Sequence, residues 1–284
     1  MSDNITFALM FVARALHYGS ALALFGYCFF NGFLLRGSSQ DGVPKWLALI
    51  FMASGILWLG AEGATAGDGL SDAYNPTVLW AVIIQTAFGK AWLAQMLTAL
   101  LILFLAFSPM LEKFRALAIV SGLSLVALGD TGHAVMLDGT WAWALPLLQA
   151  LHLLAGGFWI GGLLAVTAQP IVSTSEWRLA VMRYSSIGHF AVAVLVLSGV
   201  MISYALLLSQ PMSLNPVYLF ILALKICVVG VMTGFALFNR YYIVPRLSVS
   251  AKNTVRLVQI IRTDLALSLL VIILVSILGI LSPN

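Results

Sequence analysis

The sequence predicts an all-α integral membrane protein: a bundle of eight transmembrane helices with one short interfacial or re-entrant helix, in a single polytopic membrane domain over residues 1–284. Three observations carry this. Apolar residues make up 62% of the chain and charged ones 8%, where soluble domains carry about 25% charged residues. The apolar residues lie in blocks that reach the roughly 20 residues a bilayer requires. The basic residues gather in alternate connections. Helices follow rather than strands, because an open sheet would leave backbone N–H and C=O groups unsatisfied in hydrocarbon.

The spans are expected at Phe7–Leu35, Pro44–Thr65, Gly89–Phe107, Phe114–Met136, Trp143–Ala168, Tyr184–Leu208, Pro216–Asn239 and Asp264–Leu281. The first run continues to Leu35 without a small-residue cleavage pattern, so no removable signal is expected. Pro44, Pro109, Pro146, Pro170, Pro211, Pro216 and Pro245 punctuate the span ends. Pro146 falls in the first turn of its span, where a missing N–H costs little. The segment Thr77–Phe88 is apolar but too short to cross, which suits an interfacial or re-entrant helix. In "GGFWIGG", Gly157 and Gly161 form a GxxxG pair that lets two helix backbones approach closely.

The connections after spans one, three, five and seven hold Arg36, Lys45, Lys113, Arg115, Arg178, Arg183, Arg240, Arg246, Lys252, Arg256 and Arg262. These are eleven of the 14 basic residues. The opposite connections hold Asp68, Asp72 and Asp138. By the positive-inside rule the basic loops face the cytoplasm and both termini face outward. The net charge of +4 is thereby assigned to topology, and no nucleic-acid partner is expected; the bilayer is the expected surround. Cys28 and Cys227 lie within apolar runs and read as packing residues. No CxxC, HExxH or phosphate-binding loop occurs, and no nucleophile has a triad partner, so no enzyme is expected.

Function is sought in the intramembrane ionisable residues, which are costly to bury and mark working sites. All four histidines, His17, His133, His152 and His189, fall inside predicted spans. Counted along the helices, His17 and His152 lie roughly 15 and 12 Å from the outer end. His133 lies near that end, and His189 in the inner half. In "GDTGHAVMLDG", Asp130, His133 and Met136 share a helix face if the helix continues through them. Imidazole, thioether and carboxylate together suit a metal, and the thioether points to copper; Asp130 alternatively orients the ring. Met10 lies two turns outward of His17, and Glu62 near the outer end of span two; both are candidate ligands. Met96 and Met232 read as gap-filling core. Snorkelling or an internal ion pair accounts for Arg14 and Lys225. A second reading stays open: His17 and His152 as axial ligands of a b-type haem.

The segments "GHAV" (132–135), "LHLLAGGFWIGGLLAV" (151–166), "RYSSIGHFAVAVLVLSGV" (183–200) and "LALKICVVGVMTGFALFNRYYIVPRL" (222–247), with "TAFGKAWLAQ" (86–95) and the final "LGILSP", resemble the copper resistance protein D family. The resemblance covers essentially the whole chain. It implies copper handling at the bacterial inner membrane, where the outward-facing termini expected from the basic loops would be periplasmic. It also implies a separate periplasmic copper-binding partner of the CopC type, since no such domain is fused. His133 matches the histidine of the family's "GHA" segment, His152 the one before the double glycine and tryptophan, and His17 an early first-span histidine. His189 departs from the family pattern. The resulting expectation is a copper transporter whose cargo enters near Met136 and His133 and passes to His17 and His152.

Overall fold

The computed structural model describes residues 2–35, 41–129, 143–168, 175–209, 215–247 and 251–281. These form α1 (Ser2–Phe29), α2 (Gly42–Ala66), α3 (Pro76–Gln85), α4 (Ala87–Phe107), α5 (Lys113–Leu128), α6 (Ala144–Ala168), α7 (Ser175–Ser209), α8 (Pro216–Phe238) and α9 (Ala251–Leu278). Among the described residues, seven helical segments are long and apolar enough to cross a membrane. The remaining predicted span, Phe114–Met136, is described only as far as α5 and Gly129. Those 16 residues pack between α1, α4 and α6.

The short helix is there as expected, and its boundaries follow from capping. Asn75 accepts the Thr77 N–H and starts α3, with Pro76 in the first turn. Thr86 then accepts the Gly89 N–H at 2.9 Å and starts α4. Glycine is required at 89, because a Cβ there would run into the carbonyls of Val82 and Ile83. Before α3, Asp72 receives the Asp68 N–H at 2.7 Å and the Asn75 amide at 2.8 Å. These bonds, the Asn75 one foremost, hold its carboxyl below the usual aspartate range.

Two helices begin earlier than hydropathy suggests. Helix α7 starts at Ser175 rather than Tyr184, and α9 at Ala251 rather than Asp264. Arg178, Arg183, Arg256 and Arg262 dilute the apolar signal of these ends, but charge does not stop a helix; it marks where the helix leaves the hydrocarbon.

Helix α1 is the centre of the bundle, packed against α2, α5, α6 and α9. Its contact with α6 is built on glycine. A Cβ on Gly26 would meet the Gly157 carbonyl, and would stand 2.8 Å from Gly161 Cα. One on Gly161 would stand 2.6 Å from both Gly26 Cα and Tyr27 N. The backbones touch, as the GxxxG spacing predicts. At the basic end, Lys113 pairs with Asp41, Arg115 Nε donates to the Gly32 carbonyl at 2.9 Å, and Arg183 Nη1 donates to the Leu34 carbonyl at 3.4 Å.

Candidate functional site

The α1–α6 register sets the level of the central histidines. Gly157 packs on Leu22 and Gly161 on Gly26. The same offset carried outward brings His152 level with His17. Their rings nevertheless turn to different neighbours.

His17 is fully buried against α2. Its ring stacks on Phe51 at 4.4 Å and meets Trp58 edge-on at 5.3 Å. Its Nδ1 lies 3.2 Å from Ser54 Oγ. That hydroxyl donates its one hydrogen to the Phe51 carbonyl at 3.0 Å, so Nδ1–H is the donor to Ser54 and Nε2 carries the lone pair. Nε2 is buried and makes no hydrogen bond, with the Gln95 side chain near enough to act on the ring. Helix α4 closes the other side. Trp92 Nε1 donates to the Gly55 carbonyl at 2.8 Å, which sets the next turn of α4 over the ring. Met96 Sδ and His17 Cε1 stand 3.1 and 3.3 Å from the point a Gly55 Cβ would occupy. Both groups therefore border the space that the missing side chain of Gly55 leaves open. Gln95 is tied to Ser124, donating to its carbonyl at 2.8 Å and accepting from its hydroxyl at 2.9 Å.

One turn outward, Arg14 is buried rather than snorkelling, its guanidinium over Trp58 at 5.1 Å and Tyr18 at 5.6 Å. It also lies against Gly279, where a Cβ would collide with it. Glu62 accepts from Trp58 Nε1 at 3.2 Å. Among the described residues Arg14 and Glu62 do not form an ion pair. Met10 is buried two turns outward from His17. Outward of His17, α1 and α2 thus carry Met10, Arg14, Trp58 and Glu62.

His152 faces α7. Its Nδ1 lies 3.1 Å from the Leu195 carbonyl and 3.0 Å from Ser198 Oγ. A carbonyl can only accept, so Nδ1–H is again the donor and Nε2 the lone pair. Lys225 of α8 lies within electrostatic range of this ring. His189 is exposed at the mouth of a cavity in the other half of the bundle and packs on Phe190. Asp130, His133 and Met136 lie outside the described residues. Among the described residues, no three His, Cys, Asp or Glu side chains gather as a metal site.

Sequence reasoning read Met96 as filler and passed over Ser54 and Gln95. The available signal was polarity: Ser54 and Gln95 are uncharged polar residues within apolar runs, where a hydrogen-bonding role is the usual reason for their presence.

Residues 1–143 match the family described as "Copper resistance protein D-like, N-terminal domain", and residues 178–278 match "Copper resistance protein D". Inner membrane protein YebZ of Escherichia coli (strain K12) is 29% identical over 95% of this chain and 97% of its own length. Copper resistance protein D of Pseudomonas syringae pv. tomato is 26% identical over 100% and 98%. Copper transport protein CutJ of Bacillus subtilis (strain 168) is 28% identical over 72% of this chain, which spans 41% of that longer protein. No solved structure matches.

Proposed function

We propose, on the premise that the chain belongs to the copper resistance protein D family, that it binds copper within the bacterial inner membrane and carries it across. Two relatives support the cargo and the process by name, one a copper resistance protein and one a copper transport protein. A third, named an inner membrane protein, supports the location.

The observation that carries the reading is the Nε2 of His17, buried without a hydrogen bond on a ring whose Cε1, like the Met96 Sδ, lies within 3.3 Å of the point a Gly55 Cβ would occupy. A buried nitrogen lone pair with no donor is unfavourable unless something fills it. Imidazole plus thioether is a soft donor pair that suits Cu(I). Two protein ligands hold an ion loosely enough to release it, as a permeant ion requires. His152 supplies a second lone pair at the same level, but beside the Lys225 cation, so His17 is the primary site. Asp130, His133 and Met136 complete the entry side, with Met10 and Glu62 along the way. The termini and this entry side face the periplasm, where a separate CopC-type protein hands over copper.

The test is Cu(I) titration of the purified protein against a chromogenic chelator, with uptake into proteoliposomes. Wild type binds copper stoichiometrically and transports it. His17→Ala abolishes both, and the volume-conserving Met96→Leu weakens binding at least about tenfold, roughly 1.4 kcal/mol. Unchanged copper content and flux in both variants would overturn the reading. A Soret band in the purified protein would replace it with haem.

A further inference from the structure

The cavity at the basic end of the bundle has no part in copper binding as proposed above. It has a volume of about 100 Å³ and lies between α6, α7, α8 and α9. Asp264 of α9 and Asn239, in the turn that continues α8, both line it. Asp264 is 1% exposed and Asn239 8%. Neither carboxylate oxygen of Asp264 has a hydrogen-bond partner, and neither does Asn239 Oδ1. Three buried acceptor oxygens without a donor therefore belong to residues that line one cavity.

Thr233 and Ser185 add hydroxyls to the same wall. Thr233 donates its hydrogen to the Val229 carbonyl at 2.9 Å, which leaves its oxygen as an acceptor. Arg240 also borders the cavity, but it donates to Ser186 Oγ at 3.1 Å. Among the described residues no basic group pairs with Asp264. A buried, unpaired carboxylate is strongly disfavoured unless a proton or a cation neutralises it. A proton would turn the carboxyl into a donor for at most one further acceptor, and one of the three oxygens would still lack a partner. A cation uses all three oxygens.

We propose that this cavity is a binding site for a monovalent alkali cation of the sodium type, with Asp264 supplying the charge and Asn239 a neutral oxygen ligand. Asp264 is the one carboxylate on the wall, so it matches the charge of a monovalent ion and not that of a divalent one, while Arg240 is directed to Ser186. No methionine or cysteine lines the space, and His189 is its one imidazole, so the acceptors around Asp264 are hard oxygens that favour an alkali cation over copper(I). The volume accommodates a small ion with two or three waters, at about 30 Å³ each.

The test uses the full-length, copper-free protein in detergent. Thermal unfolding is followed in sodium chloride, and in lithium, potassium and N-methylglucamine chlorides at equal ionic strength and pH, with direct binding of radioactive sodium. A ligand that binds only the folded state raises the unfolding temperature saturably. Wild type should show a saturable upward shift with sodium over N-methylglucamine. Asp264→Asn should fold, lose the shift and the bound sodium, and match or exceed wild-type stability in N-methylglucamine. Asn239→Ala should raise the half-saturating sodium concentration several-fold. His17→Ala should respond as wild type does, which separates this site from copper binding. No alkali-specific shift in wild type, or a shift retained in Asp264→Asn, overturns the proposal. A stability that responds to pH but not to alkali cations overturns it in favour of a proton.

Discussion

His17 and His152 are anchored by the same device. In each, Nδ1–H donates to a serine on the neighbouring helix, Ser54 or Ser198. Each serine returns its own hydrogen to a carbonyl within its helix, Phe51 or Val194. The chain of donors fixes the tautomer, and with it the nitrogen that keeps its lone pair. On the proposed function, Ser54 is a positioning residue behind the copper-binding nitrogen and not itself a ligand. Its removal should free the ring to rotate and to swap tautomers. Ser54→Ala is expected to weaken Cu(I) binding by about 10–100-fold, the range for losing a partner behind a metal-binding histidine. Ser54→Thr, which keeps the hydroxyl, should restore most of it. Chelator competition measures both, and equal affinity in Ser54→Ala and wild type would show that the hydroxyl does not orient the ring.

At the scale of helices, the decisive contact is the meeting of α1 and α6. Gly26 and Gly161 leave no room for a Cβ on either side, and the atoms that crowd them are backbone, which cannot swing aside. Overpacking a well-filled interface costs about 1–3 kcal/mol, and Gly161→Ala should fall at or beyond the upper end. Gly230→Ala, on α8 with nothing nearby, should be neutral or slightly stabilising, since alanine is the better helix former. Thermal unfolding in detergent compares the two, and similar stabilities would mean that the backbones separate more easily than their packing indicates. This contact was legible beforehand, because small residues four apart have one common use in a membrane. So were the central spans and the shared level of His17 and His152, which depend only on apolar length and residue counting. What stayed hidden depends on rotation about the helix axis. Hydropathy is nearly uniform around α4, so nothing in it turned Met96 towards His17. Asp264 read as the boundary of a span, because a charge normally marks the water's edge; instead it is buried within a longer helix whose arginines, Arg256 and Arg262, lie further towards that edge.

For the whole molecule, sidedness decides what the two sites mean. The loops that carry most lysines and arginines converge on one end of the bundle: Lys113 and Arg115 reach Asp41 and Gly32, Arg183 reaches Leu34, and Arg240 reaches Ser186. The cavity of Asp264 and Asn239 lies in that half. The opposite end carries Asp68, Asp72, Glu62 and the start of α1, and its Asp72 carboxyl stays ionised to lower pH than usual because Asn75 and the Asp68 N–H bond its charged form. An anionic rim of this kind concentrates cations from the compartment it faces. The positive-inside rule predicts the basic loops in the cytoplasm, and hence that rim and both termini in the periplasm with the Asp264 cavity towards the cell interior. Reporter fusions at Asn284 check this directly. Alkaline phosphatase joined there should be active and green fluorescent protein dark, while fusions within 36–40 or 248–250 should give the reverse. The opposite pattern would put the acidic rim in the cytoplasm, and the ladder from Met10 to His17 would then begin on the side from which a resistance protein has no reason to collect periplasmic copper.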